Sequence, residues 1–193
     1  NDIVYPIITT PEGEEIEVNN NNYQIALNHP DAAFRYEFFT KLLGVYGQHI
    51  NTITSTYYGS VKNDVFVAKS RKYDSARAMA LSGNHIPEEV YDNLIATVRK
   101  NAGPLQDYVT LRKEVLGLEE IHFSDLFVPI VPGVDRTYTY EEAKQIVLEA
   151  TAVLGEDYTA VLKEAFDNRW IDVYPAKNKA TGAYAIHSYG YHP

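Results

Sequence analysis

Cysteine is absent from the 193 residues. That excludes disulfides and every thiolate-based zinc site, and it fits a reducing cytoplasm, the compartment expected here. No apolar run approaches the ~18 residues needed to span a bilayer. No positively charged start followed by an apolar stretch marks a signal peptide, so no membrane partner is expected. Cations are scarce as well, with 17 Lys and Arg against 26 Asp and Glu for a net charge of -9. Nucleic-acid backbones need clustered cations, so no nucleic-acid partner is expected.

Catalytic signatures are missing too. There is no His-Glu-x-x-His, and no two histidines lie three or four apart on a helix. No nucleophile elbow, P-loop or Gly-x-Gly-x-x-Gly occurs. On this basis no residue is assigned a catalytic or metal-ligating role. The chain opens on Asn1 rather than Met and closes on His192-Pro193, so it is expected to be an internal piece of something longer.

What the chain does have is helix-forming pattern and tyrosine. There are 16 Tyr against 7 Phe, a bias that suits half-buried faces, clefts and interfaces. Residues 2–18 read as two short strands about the turn Thr9-Thr10-Pro11-Glu12-Gly13. Asn19 to Asn22 reads as a loop. A helix then starts with Asn28 or His29 as cap and Pro30 at its first position. Phe34, Phe38, Leu42, Val45, His49 and Ile53 form its apolar stripe. The spacing over 30–70 fits one long helix and also fits two, with Gly44 and Gly47 as a bend or a site of close approach.

Further on, Asp74 is expected to cap a helix over 75–82, and Pro87 stands near the start of another. Gly103-Pro104 should break or kink that helix, and Gly117 should end the next. Residues 121–138 read as irregular. Thr139 and Glu142 form a capping box. Gly155 separates two helices expected to pair antiparallel or at a sharp angle. Ile171, Val173, Tyr184 and Ile186 suggest two short strands forming a C-terminal antiparallel hairpin. The expected fold is mainly α, a multi-helix domain with a small β-hairpin at each end.

The six histidines offer little chemistry. His49, on the apolar stripe, reads as a core histidine, and His29 and His85 read as capping or exposed. His187 and His192 are five apart, an odd spacing that puts them on opposite faces of a strand. Glu12, Glu14, Glu15 and Glu17 read as a solvated face of the hairpin.

Five segments nevertheless resemble the oligoendopeptidase F family, the thimet-oligopeptidase-like zinc peptidases. Tyr5-Pro6-Ile7 with Glu12-Gly13-Glu14-Glu15 is similar to the family's opening hairpin. Lys69-Ser70-Arg71-Lys72-Tyr73-Asp74-Ser75-Ala76 resembles its A-K-x-R-K-Y-x-S-A segment. Pro87-Glu88-Glu89-Val90-Tyr91-Asp92-Asn93-Leu94-Ile95 resembles P-x-x-V-Y-D-N-L-I. Leu111-Arg112-Lys113 with Asp125-Leu126-Phe127-Val128-Pro129 is similar to L-R-K…D-L-Y-V-P. Arg169-Trp170-Ile171-Asp172-Val173-Tyr174, with Gly182-Ala183-Tyr184 and His192-Pro193, resembles R-W-I-D-V-Y…G-A-Y…H-P.

The resemblance implies a parent protein that is a zinc-dependent endopeptidase hydrolysing short peptides. Its metal-binding helix would lie after Pro193, leaving this chain without zinc and inactive alone. It implies that residues 169–193 begin the catalytic-domain sheet, after a hairpin and linker (1–20) and a helical domain (21–168). It also implies that Tyr184, Tyr189, Tyr191 and His192 neighbour the substrate cleft. Ala185-Ile186-His187-Ser188 departs from the small residues expected there, which weakens any role for His187. An excised wall of an enzyme should self-associate through exposed apolar surface. The other reading is a non-catalytic helical module that binds a peptide or protein through its tyrosines.

Overall fold

Ile8 faces Ile16 across a two-stranded antiparallel ladder, and this hairpin seeds the first hydrophobic core. The computed structural model describes residues 3–131, 136–174, 176, 179 and 182–191. Strands β1 (Ile7–Thr9) and β2 (Glu15–Glu17) are joined by the expected turn, except that Thr9 pairs with Glu15 as the last residue of β1. Thr10 donates its N–H to the Glu14 carbonyl at 2.8 Å, and Gly13 adopts a positive φ of 92° that a Cβ would disfavour. Val18 N–H returns to the Pro6 carbonyl at 2.8 Å, and its side chain is buried.

The asparagine run is a closed turn. Asn19 Oδ1 accepts from Asn22 N–H, and Asn22 Nδ2 donates to the Glu17 carbonyl. It leads into a short helix that the spacing does not disclose, α1 (Tyr23–Leu27), which buries Ala26 and Leu27.

Helix α2 (Ala32–Gly47) is capped by Asp31, not by Asn28 or His29. Asp31 Oδ1 accepts from Phe34 N–H at 2.8 Å, the reach an N-cap carboxylate needs. Asn28 is already committed as the C-cap of α1, and His29 Nδ1 accepts the Asp31 N–H. Pro30 therefore precedes the cap instead of opening the helix. Phe34, Phe38 and Leu42 join Ile8, Val18 and Ala26 in the core, with Tyr5, Ile16, Tyr23 and Tyr46 packed against it.

Residues 30–70 hold two helices. The chain turns at Gln48 and His49, and α3 runs from Ile50 to Ser70. His49 is its N-cap, half-buried at the joint, and not the core histidine the stripe suggests. Ile53 is likewise exposed, because the stripe of α2 does not carry across the bend.

Helix α4 (Ala76–Ser82) is capped by Ser75, whose Oγ accepts from Ala78 N–H at 2.9 Å. Asp74 lies one residue too early to do this. Helices α5 (Glu88–Lys100) and α6 (Gly103–Val115) are separated at Asn101-Ala102. Pro104 sits in the first turn of α6, where its missing N–H costs nothing. Gly117, at φ 65°, follows the end of α6. Residues 118–131 are irregular apart from a 3-10 turn at Phe123–Asp125.

Two units are distinguished, Asn1–Ile130 and Val131–Pro193. The second opens with α7 (Tyr140–Thr151), whose capping box forms as expected. Glu142 N–H donates to Thr139 Oγ1, and Thr139 N–H donates to Glu142 Oε2. A 3-10 turn (Ala152–Leu154) and Gly155, at φ 99°, lead into α8 (Glu156–Asp167). Tyr140 at the start of α7 meets Phe166 at the end of α8 edge-on, 6.4 Å between centroids, as antiparallel neighbours do.

The expected C-terminal hairpin is not formed among the described residues. Residues 171–174 and 182–191 contain no strand. A strand is defined by the ladder that satisfies its backbone groups, and apolar alternation alone does not supply one. Part of the intended turn, residues 175, 177–178 and 180–181, lies outside the described residues.

Candidate functional site

The most deeply buried polar cluster joins three distant segments of the first unit. Arg35, on α2, is 1% exposed and Asp125 is 2% exposed. Asp125 Oδ1 accepts from Arg35 Nε at 3.0 Å and from Nη2 at 2.6 Å, and Oδ2 accepts from His122 N–H at 2.9 Å. Arg35 Nη1 donates to the carbonyls of His29 and Pro30, each at 2.8 Å. Arg112, on α6, donates from Nη2 to the carbonyls of Asp125 (2.8 Å) and Val128 (2.6 Å). Its Nη1 donates to Tyr108 Oη at 3.2 Å.

Chemically this is a framework. Both carboxylate oxygens of Asp125 accept hydrogen bonds from within the fold, which fixes its position among the three segments. Pairing and hydrogen bonding offset the large cost of desolvating such charges. The cluster also explains one resembling segment: Arg112 and the Asp125–Val128 stretch are directly bonded. Two more meet at the surface. Arg77, next to Ser75-Ala76, donates from Nε to Glu88 (2.7 Å) and from Nη1 to Asp92 (2.8 Å). The Glu88 bond, then the charge of Asp92, holds the Arg77 guanidinium still more firmly protonated than usual.

Beside the cluster lies an open depression of 360 Å³. Its lining includes Tyr36, Glu119, Glu120 and His122, with the His122 ring 4.7 Å from that of Tyr36. A second, of 590 Å³, is lined by Tyr5, Thr40, Lys41 and Gln48 among others. Above the core, the hydroxyls of Tyr5 and Tyr46 lie 3.4 Å apart. That bond, with burial next in importance, pushes the Tyr5 phenol up to about 12. His29 Nε2 lies 3.0 Å from Glu12 and holds the Glu12 carboxyl below its ordinary range. The hairpin's acidic face is thus partly tied to the start of α2.

Among the described residues, no group of three or more His, Asp or Glu side chains is placed to hold a metal. The resemblance assigns Tyr184, Tyr189, Tyr191 and His192 to the cleft. Tyr184, Tyr189 and Tyr191 are all exposed, and Tyr191 N–H closes a turn onto the Ser188 carbonyl at 3.0 Å. His192 lies outside the described residues. Sequence reasoning does not anticipate the Arg35–Asp125 pair. An arginine between Phe34 and Phe38 is its only trace in the sequence.

Comparison with known proteins decides the family. Peptidase family M3 matches residues 25–192. The chain belongs to peptidase family M3. Within it, the chain is 44% identical over 192 residues to Oligopeptidase PepF of Bacillus subtilis. It is 38% identical over 188 residues to Group B oligopeptidase PepB of Streptococcus agalactiae. Those alignments take in 100% and 97% of this chain but 29% and 31% of the relatives. The crystal structure of oligoendopeptidase-F from Enterococcus faecium superposes with a TM-score of 0.66 at 37% identity, covering 87% of this chain and 31% of that one. The resemblance to the oligoendopeptidase F family read from the five segments is therefore borne out, and this chain spans about three-tenths of the relatives' length. No helix among the described residues is long and apolar enough to cross a membrane.

Proposed function

We propose that this chain is the non-catalytic helical wall of a longer, cytoplasmic, zinc-dependent endopeptidase that hydrolyses oligopeptides. The observation that carries this reading is the M3 match over residues 25–192, joined to 44% identity with a named oligopeptidase. Peptidases of this family are zinc-dependent, and zinc bound in the parent protein would supply Lewis-acid activation for peptide hydrolysis. In this reading the zinc ligands lie in the part of the longer protein outside these 193 residues.

In this reading residues 1–20 are a hairpin and linker and 21–168 a helical domain. Residues 169–193 gain their strand structure when the rest of a catalytic sheet pairs with them. An extended segment without a neighbour leaves its N–H and C=O groups to water, which accounts for the unpaired, exposed stretch at 182–191. Tyr184, Tyr189, Tyr191 and His192 then line the approach to a bound peptide. Tyrosine suits that task, since it offers apolar area and a hydrogen-bonding tip. Isolated from its parent, the chain self-associates weakly through its exposed apolar helix faces.

The test compares the full gene product with the 193-residue chain on internally quenched peptides. The full product should cleave them, lose activity to a chelator and recover it with zinc. The chain alone should cleave nothing and hold no stoichiometric zinc after dialysis. Chelator-resistant cleavage by the full product, or zinc retained by the chain, would overturn the reading.

A further inference from the structure

Helix α3 has 21 residues and is about 31 Å long. Ile50, Ile53, Tyr57, Val61, Val65 and Ala68 recur in steps of three and four, which aligns them along one stripe of the helix. Ile50 is 56% and Ile53 44% exposed, and from Tyr57 onward exposure falls along the stripe. Tyr57 is 71% exposed, Val61 and Val65 are each 38%, and Ala68 is 2%. The covered end is where α4 packs on α3 and where Tyr73 N–H returns to the Ala68 carbonyl at 2.9 Å. The stripe therefore continues an interface that the chain already makes, and it runs on toward Ile50 without a cover among the described residues.

We infer that this stripe is the docking surface for an amphipathic helix from the part of the longer polypeptide outside these 193 residues. Continuity with the α3–α4 interface is the first support. The second is the proportion of the relatives that this chain represents, 29% and 31%. The third is the superposition on a much longer solved chain, which shows this arrangement of helices forming inside a larger polypeptide. A stripe of three-and-four spacing presents ridges suited to another helix, packed some 8–10 Å away. The inference rests on membership of the family and not on peptidase activity.

The absence of native cysteine in this segment makes the test direct. Tyr57→Cys on the stripe and Asn63→Cys on the opposite side are each placed in the full gene product. Maleimide labelling of the two sites is then read by peptide mass spectrometry, with oligomeric state followed by light scattering. In monomeric full product, the Tyr57→Cys variant should label about tenfold more slowly than the Asn63→Cys variant. In the 193-residue chain at high dilution the two should label alike. Hydroxyl-radical footprinting of Tyr57 and Val61 in the unsubstituted proteins should show the same contrast, which guards against a variant that misfolds. If the thiol of Tyr57→Cys labels as fast as that of Asn63→Cys in the monomeric full product, the stripe is a free surface and the inference fails. If protection appears only as the full product dimerises, the occupant is a second copy and the inference fails equally.

Discussion

Arg35 and Asp125 stand 90 positions apart in the chain and 2.6 Å apart in the fold. Both side chains are nearly solvent-free, and the pair holds α2 against residues 122–128. Removing one partner strands the other as a buried, uncompensated charge. Asp125→Ala should lower stability by about 3–5 kcal/mol, measured by urea denaturation. Arg35→Met with Asp125→Leu should recover much of that loss, because neither charge is then left unpaired. A single Asp125→Ala variant of near-native stability would show that the pair contributes little.

The Tyr5 phenol gives a pH signature. It is pushed up to about 12 by its bond to Tyr46 and by burial. A phenol with a raised folded value contributes stability that is fully present below its ordinary value, near 10. That contribution is lost as pH rises from about 10 through about 12. Tyr46→Phe should bring the Tyr5 titration down toward the ordinary value, followed by carbon-13 NMR of the labelled ring. An unchanged midpoint would assign the effect to burial alone.

Glu12 works with the opposite sign. Its carboxyl is held low mainly by the bond to His29. The associated stabilisation is present above the ordinary carboxylate range and is lost as pH falls through the depressed value. Because Glu12 is fully solvated, the effect on overall stability should be small. The measurable outcome is an upward shift of the Glu12 titration in His29→Ala, read by NMR.

Thr139 caps α7 from both directions. Thr139→Ala should cost about 1 kcal/mol, and Thr139→Ser should retain most of the cap. Amide hydrogen exchange over the first turn of α7 would report the difference. Equal exchange in all three proteins would mean that the capping box does not hold that turn.

Legibility in the sequence follows the range of the interaction. The hairpin turn at Gly13, the Thr139 cap and the break before Pro104 are readable because each depends on residues a few positions apart. The caps at Asp31 and Ser75 fall one or more residues from where the sequence suggests them, since neighbouring polar side chains compete for the same orphan amides. Helix α1 escapes notice because its five residues are too few to show a period. The Arg35–Asp125–Arg112 cluster has no local signal, and the strands expected near the C-terminus have the right composition but no partner ladder among the described residues. The cleft tyrosines are assigned by resemblance alone, and their exposure in this chain neither assembles nor excludes a site.

The first core has a consequence for biosynthesis. Its buried members, Ile8, Val18, Ala26, Phe34, Phe38 and Leu42, all lie within a single short stretch of chain. Short loops close quickly and at little entropic cost. A ribosome releasing this segment can see it collapse into native contacts before α3 has left the exit tunnel. The apolar stripe of α3 would then emerge beside a nucleus already formed, with only the order of synthesis left to decide what covers it.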